Sequence, residues 1–279
     1  PPRESRTTFI AASPLADEMG TLALDIETAS PFAEPDGAND TEYYEWLSVA
    51  LAYVDDGPAG VRADGDEPET AVLFRRGGWD DDHTADLFER LFEWCEARDV
   101  DRTLTYNGAW FDLTHLGNWA ASLAASETLS GAPGRLADCL GRHVDVAPAA
   151  ADRYAEELWE EQVVLPDWKA YQLAGIDNPR VWYDDYDFDE GYREGLGIDE
   201  SFVKGEHVGR VLGERYVAGV VAGIEETRTH RELERLLYDY SVSDVTDLFD
   251  LYRELGGDEL DADYHYPIEA GGGSTRPSR

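Results

Sequence analysis

The stretch LALDIETAS, residues 22–30, sets Asp25 and Glu27 into an otherwise apolar, strand-like run. Side chains alternate across a strand, so the two carboxylates share one face while Leu24 and Ile26 share the other. Like charges a few ångströms apart in a half-buried setting repel each other and are poorly solvated. Such a pair needs a cation, or one member needs a proton.

Two further carboxylates pose the same problem. Leu233, Leu237, Tyr240, Asp244, Leu248 and Leu251 fall on one stripe of a helical pattern, which puts Asp244 on a core-facing position one turn from the Tyr240 hydroxyl. In YNGAWFDLTHL, residues 106–116, a strand ends near Tyr106 and a helix begins near Trp110. Asp112 then sits in the first helical turn, where a negative charge is favoured, and Asn107 at the strand exit is placed to hydrogen-bond backbone or substrate. All the candidate ligands are hard oxygen donors with no competing His or Cys cluster, which favours Mg²⁺ or Mn²⁺ over zinc.

Taken in order, DIE at 25–27, N-x-x-x-F-D at 107–112 and Y-x-x-x-D at 240–244 resemble the three exonuclease motifs of the DEDD superfamily of 3′-to-5′ exonucleases. Tyr240 places the likeness in the tyrosine branch, because the histidine branch has His five residues before the last Asp and that position here is Asp239. The likeness is to proofreading domains of family B DNA polymerases and to stand-alone nucleases of the same fold. It implies an RNase H-like domain that hydrolyses phosphodiester bonds by a two-metal mechanism. Asp25, Glu27 and Asp244 would surround one ion, with Asp25 bridging to a second near Asp112 and Tyr240 orienting the attacking water. The implied substrate is nucleic acid, single-stranded DNA 3′ ends in the first place and RNA in the second. Phe111 and Lys169 are candidate substrate contacts beside Asn107, Lys169 by likeness to a lysine of related stand-alone nucleases. Two other functions stay open: a catalytically silent binding module that keeps the fold, and an RNase H-like endonuclease.

The elements that must position these residues are legible in outline. Strands are predicted over 21–27, 46–54, 70–74, 102–106 and 142–146, and helices from Asp81, over about 110–125, around 150–161 and 167–174, and over about 225–255. The expected class is α/β: a mixed central sheet flanked by helices, with a helical and aromatic insertion over about 150–215, a lead-in over 1–20 and a tail over 256–279. Within the insertion, Trp168, Tyr171, Trp182, Tyr183, Tyr186 and Phe188 read as either a small core or a base-stacking platform.

Composition restricts the setting. Sixty acidic residues against 23 basic ones give a formal charge of −37, and Lys169 and Lys204 are the only lysines. Aromatics at 11% argue against an acidic disordered chain. An acidic, lysine-poor, folded chain resembles the proteins of extreme halophiles. In molar salt, with a Debye length of about 3 Å, its repulsion of phosphate is short-ranged. Cys95 and Cys139 show no metal spacing and read as reduced thiols, in keeping with a cytoplasmic location. No apolar run approaches the roughly 18 residues of a membrane helix, and no signal peptide is visible, so neither membrane attachment nor export is expected.

Overall fold

The computed structural model describes residues 19–56, 67–159, 162–263 and 265–266. The lead-in as far as residue 18, most of the RADGDEPE loop and the GGGSTRPSR tail lie outside the described residues.

Alternation in the DIE segment produces a long strand, β1 (Met19–Ala29), which pairs antiparallel with β2 (Glu45–Asp56). β2 pairs antiparallel with β3 (Glu69–Phe74). Helix α1 (Asp81–Glu96) carries the chain across to β4 (Val100–Thr105), which runs parallel to β1. Helices α2 (Asp112–Ala125) and α3 (Ala132–Leu140) then lead to β5 (Arg142–Asp145), parallel to β4. The order is β3-β2-β1-β4-β5, with the short β6 (His265–Tyr266) antiparallel on the outer edge of β5. Three antiparallel strands followed by two parallel ones through helical crossovers make the expected mixed α/β sheet of RNase H-like type.

The remaining helices are α4 (Val146–Arg153), α5 (Asp167–Ala174), α6 (Tyr192–Leu196), α7 (Gly205–His207), α8 (Gly213–Ala222), α9 (Arg228–Thr246), α10 (Leu248–Leu255) and α11 (Leu260–Asp263). The terminal helix predicted over 225–255 is thus two helices that meet at Asp247. Its apolar stripe is real: Leu233, Leu237, Leu248 and Leu251 are all buried.

The two faces of the sheet are covered differently. Leu22, Leu24 and Ile26 of β1 pack against α1, α2 and α3 through Leu87, Leu91, Leu116 and Leu136. On the other face Ala23, Ala50 and Ala52 meet Tyr171 of α5, Val245 of α9 and Phe249 of α10. Alanines there let the helices approach the sheet closely beside Asp25 and Glu27. The segment read as an insertion packs on the core of the domain. Its α5 belongs to this second core, while Tyr183, Tyr186, Leu196, Leu212 and Tyr216 form a third core with Leu47, Phe74, Leu233 and Leu237.

Two sequence expectations are corrected by the packing. Cys95 and Cys139, read as separate reduced thiols, form a disulfide, because α1 and α3 lie side by side on one face of the sheet although the cysteines are 44 residues apart. The chain also continues to pack beyond residue 255, where a tail is expected. Arg102, a β4 side chain with no exposed surface, draws this segment in, donating to Asp258 at 2.8 Å, Asp261 at 2.9 Å, the Tyr252 hydroxyl at 2.7 Å and Thr21 Oγ1 at 2.9 Å. Among the described residues no helix is long and apolar enough to cross a membrane.

Removing one partner of a buried charge network costs about 3–5 kcal/mol, because the other charge is left uncompensated. Arg102→Ala should therefore lower unfolding stability by about that amount in urea titrations, and the segment around Asp258 and Asp261 should become accessible to limited proteolysis.

Candidate metal centre

The site lies where β1 leaves the sheet. Asp25 sits opposite Ala50 and Glu27 opposite Ser48, and the β1–β2 register slips between Glu27 and Thr28. An irregularity of this kind bends a strand and re-aims its side chains, and such bulges are common beside active sites. Across from them α9 supplies Asp244. Ligand oxygens of Asp25, Glu27 and Asp244 all lie within 4.8 Å of one another.

Asp112 arrives from the opposite layer. Its position in the first turn of α2 lets Oδ1 accept the amide of Ile26 at 2.9 Å, which pins the carboxyl between Asp25 and Glu27 along β1. The loop that delivers α2 is held by a residue the sequence reading did not single out. Asp145, buried at the end of β5, accepts the amides of Asn107 at 2.8 Å and Ala109 at 3.1 Å, and that of Ala147 at 3.1 Å as the cap of α4. Asn107 takes a left-handed conformation, φ 62°, that few residues besides Gly and Asn adopt without strain. Its carbonyl accepts the amides of Trp110 and Phe111, which closes the turn.

A cleft of about 250 Å³ opens beside the carboxylates, lined by Leu24, Asp25, Tyr106, Asn107, Val164, Leu165, Pro166, Asp167, Tyr171 and Asp244. The Tyr106 hydroxyl donates to the Leu165 carbonyl at 2.8 Å and ties two of its walls together. Tyr240 is half-buried, and its hydroxyl lies over Gly205, where an added Cβ would meet it at 3.4 Å.

Electrostatically the site is one-sided. Among the described residues no basic side chain is ion-paired with Asp25, Glu27, Asp112, Asp167 or Asp244. Burial first, then the neighbouring carboxylates, pushes Asp25, Glu27 and Asp244 well above the ordinary carboxylate range. Burial raises Asp112 to about 7 despite the amide it accepts. Burial and the same carboxylates also raise the Tyr240 hydroxyl, which therefore stays protonated. A donor set made wholly of carboxylate oxygens, clustered within ligand distance and lacking a basic counterpart, fits hard divalent ions such as Mg²⁺ or Mn²⁺.

The candidate substrate contacts divide. Asn107 lines the cleft. Phe111 joins an aromatic group with Tyr44, at 5.7 Å between ring centroids, and His115, at 4.5 Å. His115 itself is core, bonded to Thr41 and to the Ala38 carbonyl. Lys169 is not among the cleft-lining residues and pairs with Glu157 at 3.5 Å. Of the aromatic run, Tyr171, Tyr183 and Tyr186 are buried, whereas Trp168 and Trp182 are 55% and 44% exposed. Asp167 reads in sequence only as an acidic residue at a helix start, and its place in the cleft depends on how α5 packs.

A second acidic group, Glu200, Glu206 and His207, also comes within ligand distance. Its charge is partly offset within the chain: Lys204 Nζ contacts Glu200 at 2.6 Å and Glu206 at 3.5 Å.

No family model and no curated protein matches the chain. Among solved structures it is similar to the family B DNA polymerase of the hyperthermophilic archaeon Pyrobaculum calidifontis, with 13% identity and a TM-score of 0.41. The likeness covers 87% of this chain and 26% of the polymerase, so the chain spans about a quarter of that protein's length.

A carboxyl raised on folding adds stability that is complete below its unfolded pKa and is lost as pH rises through its folded pKa. For Asp112 that window runs from the ordinary aspartate value of 3.8 to about 7. In chelator-treated protein, the fall in melting temperature between pH 4 and 7 should be smaller for Asp112→Asn, whose amide oxygen can still accept from Ile26, than for the unsubstituted chain. Asp145→Ala strands the buried amides of the 107–109 turn and should cost about 2–4 kcal/mol in denaturant unfolding, with little dependence on added Mn²⁺.

Proposed function

We propose that this chain is a divalent-metal-dependent nuclease, a 3′-to-5′ exonuclease of the tyrosine branch of the DEDD superfamily, acting on single-stranded nucleic-acid ends. The observation that carries the reading is the meeting of Asp25, Glu27, Asp112 and Asp244 at one end of the sheet, with Tyr240 beside them and no basic partner among the described residues. Three motifs separated by more than 80 and then more than 120 residues supply that set, which a chance DxE pair on a strand would not require.

Asp25, Glu27, Asp112 and Asp244 would hold the metal. When bound, such ions make a hydroxide available near neutral pH and offset charge on the scissile phosphate. The chain's own residues do the rest. The bulge after Glu27 and the Asp112–Ile26 bond fix the carboxylates, so little reorganisation is needed on binding substrate. Tyr240, protonated and half-buried, is a hydroxyl donor and acceptor placed to orient a water beside Glu27 and Asp244. Asn107 offers an amide in the cleft wall.

Preference for unpaired ends is supported by two exposed indoles close in sequence to cleft-lining residues. Trp110, 45% exposed, is one turn from Asn107, and Trp168, 55% exposed, follows Asp167 directly. Stacking tolerates any base and contributes about 1–3 kcal/mol per base.

The test is hydrolysis of a 5′-labelled single-stranded oligonucleotide in molar KCl with Mn²⁺. A shortening ladder is expected, and Asp25→Ala and Asp244→Ala should each reduce it by at least about 100-fold, since even outer partners of metal ligands are worth 10–100-fold. Cutting of a circular single strand would point to an endonuclease, and the absence of products on DNA and RNA would refute the reading. Trp168→Ala should raise KM by about tenfold, with kcat within about twofold, if the indole stacks on substrate.

A further inference from the structure

Asp167 belongs to none of the three motifs, yet it lines the same cleft as Asp25 and Asp244. It opens α5, where Oδ1 accepts the amide of Trp168 at 2.7 Å, a local bond that anchors the side chain at the helix start. It is half-buried, and burial raises its carboxyl above the ordinary range. Among the charges acting on Asp244, that of Asp167 ranks first, and it acts also on Asp25, Glu27 and Tyr240. The cleft thus gathers one more negative charge than the motif set requires.

How the chain treats its other crowded carboxylates decides what this charge needs. Glu200 and Glu206 have Lys204 between them, and Asp258 and Asp261 have Arg102. Lys169, two positions along the same helix and so on another side of it, pairs with Glu157. Among the described residues no basic side chain pairs with Asp167, Asp25, Glu27 or Asp244, which leaves a countercharge to be drawn from solution.

We infer that Asp167 is a fifth metal-holding carboxylate, which extends the site from Asp244 into the cleft and tightens its hold on a divalent cation. This rests on the reading of Asp25, Glu27 and Asp244 as metal ligands. The added carboxylate strengthens attraction for a divalent ion and, in the metal-free protein, adds to the repulsion.

The test is calorimetric titration of the full chain with Mn²⁺ after chelator treatment, with melting curves taken in parallel. Asp167→Asn suits it, because the amide oxygen can still accept from Trp168 and near-UV circular dichroism will report whether the fold is kept. The expected result is Mn²⁺ affinity lower by about tenfold, a metal-free melting temperature higher than that of the unsubstituted chain, and affinity largely retained in Asp167→Glu. Unchanged Mn²⁺ affinity and stoichiometry in folded Asp167→Asn would overturn the inference while leaving the exonuclease reading in place. Asp25→Asn is the separate check: if the unsubstituted chain binds no Mn²⁺, or Asp25→Asn binds it equally well, the metal reading itself fails and the role of Asp167 with it. Should Asp167→Asn not fold, Asp167→Glu and Asp167→Ser decide by the same titration, and equal affinity in both would again overturn the inference.

Discussion

Five carboxylates gathered at one end of a sheet, without a basic partner among the described residues, form the constraint on which the rest of this molecule turns. Burying one ionised carboxylate without compensation is costly; burying several side by side compounds desolvation with mutual repulsion. The surrounding structure has to hold them against that cost. It does so with groups that leave the charge in place: the Ile26 amide on Asp112, the amides of the α5 start on Asp167, and the bulge that turns β1 after Glu27. Each of these fixes a carboxyl without neutralising it, which leaves the cluster ready for a cation and costly to keep empty.

Elsewhere the same chain places basic side chains at buried joints and beside some crowded carboxylates. Arg75, without exposed surface, donates to the carbonyls of Trp46, Gly78 and Asp80 and to Thr84, and so joins the end of β3 to the start of α1. Arg102 gathers the segment after α10, and Lys204 fills the Glu200 group. With only 23 basic residues available to 60 acidic ones, pairing is selective. The interior arginines serve buried joints, and the cleft receives none of them. The contrast is what sets the cleft carboxylates apart from the Glu200 and Asp258 groups, and it is the ground of the metal proposal.

The sheet and the motif residues were legible because their signals are local. Period-two alternation placed Asp25 and Glu27 on one face, and period 3.6 placed Asp244 in line with Leu237 and Leu248. What stayed hidden depended on packing between distant segments. Asp145 is a short strand's last residue until β5 lies beside β4 and brings it under the Asn107 turn. Asp167 is a helix-start acid until α5 closes one wall of the cleft. Cys95 and Cys139 are separate until α1 and α3 share a face. Lys169 stands near the right place in sequence, but the turn of α5 points it to Glu157, and spacing alone does not say which way a helix rotates. The segment over 150–215 looked like an addition because its aromatics lack a period. Its tyrosines prove to be core, and its tryptophans at 168 and 182 remain at the surface.

An acidic chain that acts on a polyanion must obtain its affinity from something other than a basic surface. At ordinary salt most non-specific binding to nucleic acid comes from Lys and Arg displacing counterions, a source this chain has largely given up. Two contributions survive in its place, and both are local to the cleft. On the proposed reading, cations held by the carboxylates would turn the most negative point of the protein into a place where a phosphate is attracted, at contact distance, where molar salt screens it least. The exposed indoles of Trp110 and Trp168 would add stacking on bases, with little dependence on ionic strength. Binding built that way would be confined to the carboxylate end of the sheet. The remaining acidic surface would repel the rest of a strand, favouring engagement of an end over wrapping of an internal segment.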